Sequence, residues 1–252
     1  METAINRIKK ESEERKGILK LSNLCLKSLP SELWELTHLK TLLIDNNRLK
    51  FIPTDISKLI NLEKLYLNNN DLDNLPTLPS GLLFLTIGFN FFVNLPDLPP
   101  NLKTLRCDNN QLVTISSLPL DLRIFYCENN KLTSLPELPN KLKEINCRHN
   151  NLKSLPDLPN SLVSLTCFSN ELTSLPYLPP RLKTICCQHN NIKYIPNLPD
   201  SLEFINCIYN ELTSLPILPD SLEGIIFYSN PIYDIINSDD INVIKLKIKL
   251  LA

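Results

Sequence analysis

The residues best suited to chemistry in this sequence are its eight cysteines and three histidines. Cys186 and His189 stand three residues apart, and a thiol beside an imidazole can act as a nucleophile and its base. The residues that would share a strand face with Cys186 are Thr184 and Gln188, so no carboxylate there orients the histidine. His149 lies forty residues before His189, which is two of the 20-residue repeats described below. About 10 Å would then separate the two side chains, too far for a common metal without further ligands. We therefore expect no catalytic residue, no metal and no cofactor, with an enzyme that uses Cys186 as the disfavoured alternative.

Composition excludes several other function classes. The 26 basic and 27 acidic residues leave a net charge of −1, which offers no broad basic surface for nucleic acid. Phosphate-binding loops need closely spaced glycines, and the four glycines here are scattered. No apolar run approaches the roughly 20 residues that span a bilayer, and residues 9–15 are too polar for a signal peptide. We expect an intracellular chain that binds neither nucleic acid nor membrane.

A period of 20 residues runs through most of the chain. Residues 142–161 give the unit L-x-x-L-x-C-x-x-N-x-L-x-x-L-P-x-L-P-x-x, and the asparagine recurs at every twentieth position from Asn90 to Asn230. Positions are numbered here from the first leucine of a unit, so that Leu142 is position 1 and Asn150 is position 9. The unit resembles the leucine-rich repeat signature.

The repeats divide into two lengths. Eight 20-residue repeats begin at residues 62, 82, 102, 122, 142, 162, 182 and 202, and an incomplete eleventh begins at residue 222. Two 23-residue repeats, 16–38 and 39–61, precede them. In these longer repeats Ser31 and Thr54 each follow a proline and precede apolar residues at an i, i+3 spacing, which predicts short helical turns. The shorter repeats carry two prolines within four residues, which predicts an extended, polyproline II-like back.

Each repeat also contains a short alternating stretch, such as residues 144–148, that predicts one strand with positions 4 and 6 inward and positions 3, 5 and 7 outward. Stacking these strands in parallel buries the leucines. The predicted fold is a leucine-rich repeat solenoid with a curved parallel β-sheet on its concave face. Its convex face is expected to combine polyproline II segments with short helical turns.

The repeated asparagine at position 9 predicts a structural ladder, because an amide side chain both donates to and accepts from backbone groups in a buried turn. Asn150→Ala should therefore destabilise the chain far more than Asn151→Ala. The ladder comprises Asn47, Asn70, Asn90, Asn110, Asn130, Asn150, Asn170, Asn190, Asn210 and Asn230.

Six cysteines occupy inward position 6 of consecutive repeats, where a small buried hydrophobe is expected. Their side chains should point the same way, which is poor geometry for disulfides and favours a reducing compartment. These residues are Cys107, Cys127, Cys147, Cys167, Cys187 and Cys207.

Outward positions should carry function, since packing demands no particular residue there. Aromatic residues are frequent at these positions and are favoured interface anchors, although β-sheets favour aromatics in any case. The candidate binding residues are Tyr66, Phe84, Phe89, Tyr126, Phe168, Phe204, Tyr209 and Tyr228. Acidic residues also recur outward at position 7, as Asp45, Asp108 and Glu128.

The open ends of a repeat array need covers. We predict a capping helix over residues 1–15 with Ile5 and Ile8 on its apolar side, eleven repeats over residues 16–235 and a C-terminal cap over residues 236–252. Ser238 as a helix N-cap favours a helical cap, whereas the Ile-Lys-Leu-Lys alternation that follows favours a strand; we prefer the helix.

The doubled Leu-Pro of the 20-residue unit resembles the bacterial leucine-rich repeats of secreted effectors, the YopM and IpaH group, over residues 62 to about 235. Many members of that group append a ubiquitin-ligase domain, and no such domain is expected here. The scarcity of alanine beside abundant Asn, Ile, Lys and Leu resembles leucine-rich repeat proteins of large DNA viruses, which favours such a source.

We therefore predict a non-enzymatic, monomeric module that binds a protein or peptide on its concave face. An adaptor that delivers a substrate to a ubiquitin ligase is the alternative that the resemblance implies.

Overall fold

The computed structural model describes residues 1–251. The chain forms two compact units, residues 1–130 and the part from residue 131 onwards. Within each unit the repeats stack in sequence order, with one parallel strand per repeat. The predicted fold class, a leucine-rich repeat solenoid, is confirmed.

The first unit begins with helix α1, Glu2–Glu14. Six strands follow, which are β1 Ile18–Lys20, β2 Thr41–Leu43, β3 Lys64–Tyr66, β4 Phe84–Thr86, β5 Thr104–Arg106 and β6 Ile124–Tyr126. Two 3₁₀ turns, Ser31–Glu35 and Thr54–Lys58, separate the first three strands. They lie on the backs of the two 23-residue repeats, as the sequence predicted.

The second unit contains five strands and two helices within the described residues. The strands are β7 Glu144–Asn146, β8 Ser164–Thr166, β9 Thr184–Cys186, β10 Phe204–Asn206 and β11 Gly224–Ile226. Helix α2 covers Pro231–Ile236 and helix α3 covers Ile241–Leu251.

The register between strands equals the repeat length. Leu19 pairs with Leu42 across a 23-residue repeat, and Leu105 pairs with Phe125 across a 20-residue repeat. Side chains at position 4 are buried because this register places them in one inner column. The strands are shorter than predicted, since β7 ends at Asn146 instead of continuing to residue 148. Cys147 nevertheless donates its N–H to the carbonyl oxygen of Thr166 at 2.8 Å.

The prolines determine the backbone conformation on the back of each repeat. Pro30 and Pro53 are the N-cap residues of the two 3₁₀ turns, and neither turn has a side-chain cap. Ser31 and Thr54 are therefore the first residues within the turns. In the 20-residue repeats, residues 151–158 and their equivalents contain no helix or strand, because the prolines remove backbone donors and fix φ.

Helix α1 packs against β1 and the first 3₁₀ turn. Ala4, Ile8 and Glu11 are its buried residues, at the i, i+4 and i+7 spacing of one helix face. Ile5 lies off this face and is 40% exposed, so its predicted inward orientation is wrong. The buried Glu11 carboxylate accepts the N–H of Gly17 at 2.7 Å.

At the other end, helix α2 begins at Pro231, so the regular repeat ends one residue earlier and the predicted boundary after residue 235 falls inside a helix. The segment that follows is helical. Asp240 starts this helix, because its carboxylate accepts the N–H groups of Asn242 and Val243. Ser238 accepts only the N–H of Asp240, so its predicted role as N-cap is wrong.

Candidate binding face

The asparagine at position 9 connects successive repeats through its side-chain amide. In Asn190 the amide nitrogen donates to the carbonyls of Cys187, Gln188 and Cys167 at 3.0, 3.3 and 3.2 Å. Its oxygen accepts the N–H of Leu172 in the preceding repeat at 3.0 Å. These groups would otherwise be buried without partners, at about 1–3 kcal/mol each.

Equivalent bonds recur in both units. In each case the oxygen accepts an N–H at position 11 of the repeat before, as for Asn47, Asn90 and Asn230. The first repeat has Leu24 at position 9, and the N–H of Leu24 is satisfied by Asn47 of the next repeat. The asparagine column thus stabilises the backbone that carries the candidate binding face.

The cysteines at position 6 are free thiols without exposed surface. Burial raises the pKa of Cys207 to about 12, and it raises the pKa of Cys107, Cys167 and Cys187 well above the ordinary value. A thiol that stays protonated is a poor nucleophile and a poor metal ligand. These cysteines are therefore packing groups.

Cys186 lies on the strand face and is half-buried. Burial raises its pKa too, whereas a catalytic thiol needs a lowered pKa. His189 stacks on Tyr209, with ring centroids 4.5 Å apart and an interplanar angle of 15°. Across residues 1–251 no group of three or more His, Cys, Asp or Glu is arranged to hold a metal ion. The geometry around Cys186 thus lacks the features of thiol chemistry.

In the first unit, the aromatic candidates gather on neighbouring repeats. The rings of Tyr66 and Phe84 are 4.9 Å apart at an angle of 39°. Phe89 belongs to the same repeat as Phe84 and is 56% exposed. Tyr126 is covered by the guanidinium of Arg106, 4.8 Å from its ring centroid. Tyr66, Phe84 and Phe89 thus lie on two adjacent repeats.

In the second unit, the aromatic candidates form separate contacts. Phe168 meets the ring of His149 edge-on at 5.1 Å. Tyr209 and Tyr228 lie 6.2 Å apart, also edge to face. Phe204 rests on the last strand at a glycine, where a side-chain carbon would come within 3.0 Å of its ring.

Position 8 of every repeat has a left-handed backbone, which favours Asn over bulky residues. Its occupants are Asn23, Asn46, Asn69, Phe89, Asn109, Asn129, His149, Ser169, His189, Tyr209 and Ser229. Phe89 and Tyr209 therefore lie in the turns that follow the strands, with φ of 54° and 51°. Their aromatic side chains are not explained by strand propensity or by local backbone preference.

A cavity of about 630 Å³ opens beside Phe89 in the first unit. It is lined by Ser22, Asn23, Asp45, Asn46, Tyr66, Asn68, Asn69 and Phe89. From the sequence, the two aromatic residues and the acidic position 7 were predicted to face outward, but neither their grouping nor the role of the asparagines was predicted. The available signal was the run of polar residues at positions 7 and 8 in the first three repeats.

Asp45 is the acidic residue of this cavity. Burial raises its pKa, and hydrogen bonds from the Asn68 N–H, its own N–H and the Ser22 side chain oppose the shift. The Asn68 N–H donates to Asp45 Oδ1 at 2.9 Å. In the next repeat the Gly88 N–H donates to Asn68 Oδ1 at 2.7 Å. In both cases the side chain at position 7 accepts a backbone N–H of the following repeat.

Residues 1–251 include no helix whose length and apolar character would let it cross a bilayer.

Comparison with known proteins gave no matching family model and no matching curated sequence. Among solved structures, the leucine-rich effector YopM from Yersinia pestis is 30% identical, with a TM-score of 0.65, over 91% of this chain and 82% of YopM. A Shigella effector leucine-rich repeat domain is 27% identical, with a TM-score of 0.52, over 91% of this chain and 88% of that domain.

The Toll–Spatzle complex of Drosophila matches more distantly, at 19% identity and a TM-score of 0.66, over 80% of this chain and 31% of the other. At that identity the match supports only the fold.

Proposed function

Because this chain belongs to the leucine-rich repeat proteins, we propose that it is a non-enzymatic binding module whose concave, strand-bearing face contacts a partner protein. Repeat arrays present extended surfaces of this kind, and no bound cofactor is needed for them to work. The similarity to effectors of Yersinia and Shigella supports a role in recognising another protein.

The observation that carries the proposal is the exposure of aromatic side chains where the backbone favours asparagine. Phe89 and Tyr209 are 56% and 50% exposed, and both lie at left-handed turn positions. Placing a bulky residue there costs free energy, and about half of each side chain stays exposed. Contact with a partner explains why aromatic residues occupy these two turn positions, because exposed aromatics contribute strongly to interfaces.

The predicted contact residues comprise two groups, one in each unit. Tyr66, Phe84, Phe89 and Tyr126 belong to the first, and Phe168, Phe204, Tyr209 and Tyr228 to the second. The most exposed members are Phe89, Tyr209 and Tyr228, so we assign the largest share of the contact to these three.

Photocrosslinking tests the proposed face. Phe89 is replaced by p-benzoylphenylalanine in one variant, and Tyr177, which is 73% exposed on the proline-containing back, is replaced in a matched control. After irradiation in a mammalian cytosolic extract, we expect a discrete crosslinked protein from position 89 only. Crosslinking to the same protein from position 177, or from position 177 alone, would contradict the proposed face.

A substrate-recognition adaptor for a ubiquitin ligase would use the same face and would also need a second contact with the ligase. Ligase subunits that remain bound to the Phe89→Ser variant, while the crosslinked protein is lost, would identify this arrangement. Loss of both together would favour the simple binding module.

We propose that the protein works as a monomer in a reducing compartment, such as the cytoplasm of a host cell. The six buried free thiols support this location, because disulfides persist mainly in oxidising compartments. We assign no catalytic role to Cys186, since its raised pKa disfavours the thiolate. Alkylation of Cys186 by iodoacetamide should accordingly be slower than that of free cysteine at neutral pH.

A further inference from the structure

The cavity beside Phe89 is lined by residues of four successive repeats, most of them at positions 7 and 8. Ser22, Asp45 and Asn68 occupy position 7, and the neighbouring asparagines occupy position 8. Tyr66 and Phe89 complete the lining as its two aromatic walls. The cavity thus combines carbonyl-type oxygens, one carboxylate and two rings.

The charges in this cavity are unbalanced. Asp45 contributes a carboxylate, and none of the eight lining residues is a lysine, arginine or histidine. The recorded hydrogen-bond donors to this carboxylate are backbone N–H groups and the Ser22 hydroxyl. Its raised pKa reflects incomplete hydration, and a positive charge placed beside it would relieve that cost.

The rings and amides favour a particular kind of cation. The Tyr66 ring is held against Phe84 at 4.9 Å, while Phe89 remains exposed. Planar guanidinium groups stack on such rings and pair with carboxylates through two parallel hydrogen bonds. Asn46 Oδ1 already accepts the side-chain N–H of Asn69 at 2.7 Å, which keeps amide oxygens oriented at the rim.

We propose that this cavity binds an arginine side chain of the partner protein, with the guanidinium between the Asp45 carboxylate and the rings of Tyr66 and Phe89. The inference rests on the proposed function, because it names the chemistry of the partner at that face. An acidic or purely apolar side chain would leave the carboxylate without a counter-charge.

The structure offers variants that remove the binding groups without disturbing the repeat. Asp45→Asn removes the charge and keeps an acceptor for the Asn68 N–H, since Asn68 itself does this for Gly88. Phe89→Asn removes a ring at a position where five other repeats carry Asn in the same backbone conformation. Asp108→Asn is the matched control, because Asp108 also occupies position 7 but does not line the cavity.

The test is an NMR titration of the ¹⁵N-labelled full chain with the peptide acetyl-Gly-Arg-Gly-amide. We expect saturable shifts at the backbone amides of Asn46, Asn68 and Asn69. Asp45→Asn should weaken binding about tenfold or more and Phe89→Asn about threefold, whereas Asp108→Asn should bind like the wild type.

Three further peptides, with citrulline, lysine or glutamate in place of arginine, test the assignment. Equal binding of the citrulline peptide, or unchanged affinity of Asp45→Asn, would overturn the carboxylate–cation pair. Equal binding of the lysine peptide would overturn the choice of arginine. The absence of saturable shifts up to about 50 mM peptide would overturn the site itself.

The crosslinking experiment and the peptide titration can fail independently of each other. The crosslinking from position 89 needs the whole partner, while the titration needs only a tripeptide. A crosslinked partner without peptide binding would retain the binding face and reject the arginine site. Peptide binding confined to the cavity, with crosslinking only from position 177, would reject the face as the partner's docking site.

Discussion

The inner and outer positions of each repeat follow different rules, although they alternate along the same short stretch of chain. Inner position 6 carries buried cysteine in six consecutive repeats. Outer position 7, one residue later, carries serine, aspartate, asparagine, glycine, glutamate, arginine, glutamine, isoleucine or an aromatic residue. Repetition therefore marks the residues that stack, and variation marks the residues that are free to bind.

The physical reason is the environment of each side chain. An inner side chain lies between the equivalent side chains of neighbouring repeats, so its volume and its hydrogen bonds must match theirs. An outer side chain meets solvent on one side, so the stack tolerates many types. Changes at inner positions should therefore cost far more stability than changes at the face.

The largest expected effect is at the asparagine column. Asn190→Ala removes one acceptor and two N–H donors that bond buried backbone groups, and we expect a loss of about 3 kcal/mol in the free energy of unfolding. Asn191→Ala changes an exposed neighbour and should cost little. Urea denaturation of both variants measures the difference, and equal midpoints would break the distinction between column and surface.

A smaller loss is expected at the cysteine column. Cys187→Ser places a hydroxyl where Cys187 has no exposed surface, and we expect destabilisation of about 2 kcal/mol. Cys187→Ala separates the cost of polarity from the cost of lost volume and should be the milder change. Calorimetric melting that ranks serine as the more stable variant would show that this inner position is not apolar.

Thr86 also tests the distinction between inner and outer positions, because it occupies an outer position but is only 2% exposed. Its hydroxyl oxygen has no hydrogen-bond partner. Thr86→Val keeps the shape and removes the unsatisfied group, so we expect a gain of about 1 kcal/mol in denaturant unfolding. Thr184→Val is the control, since Thr184 bonds to Ser164 at 3.0 Å and should lose stability.

The smallest effect concerns Asp45 and depends on pH. Burial raises the pKa of Asp45 above 3.8, so the folded chain holds this proton more tightly than the unfolded chain does. Relative to Asp45→Asn, the wild type should therefore lose stability as pH rises through the interval between the two pKa values. Unfolding at about pH 3 and about pH 7 checks the sign, and a difference that changes in the opposite direction would mean that the folded chain stabilises the charge.

Much of the fold could be predicted from the repeat. The 20-residue period gave one parallel strand per repeat, and the 23-residue repeats gave helical turns at Ser31–Glu35 and Thr54–Lys58. The ends were harder to predict, because a single helix has no second copy to fix its register. Ile5 proved partly exposed, and Asp240 rather than Ser238 begins the last helix.

Individual residues of the candidate site could be predicted from the sequence, but their grouping into one cavity could not. Tyr66 and Phe89 stood out as aromatic residues at outer positions of successive repeats. Their grouping with Asp45 and Ser22 required the stack, which brings residues more than 20 positions apart onto one wall. Sequence alone also grouped Phe89 with the outward-facing strand residues, whereas the left-handed backbone at position 8 places it in the turn after the strand.

The sequence by itself determined the stacked repeat fold of this protein, because equivalent inner residues of successive repeats pack against one another and the same contacts recur. The tertiary structure decided how deep each outer group lies, since burial depends on the side chains of adjacent repeats, which differ from one repeat to the next. Asp45 and Asp108 share a position in the period, yet only Asp45 lines the cavity between two aromatic rings.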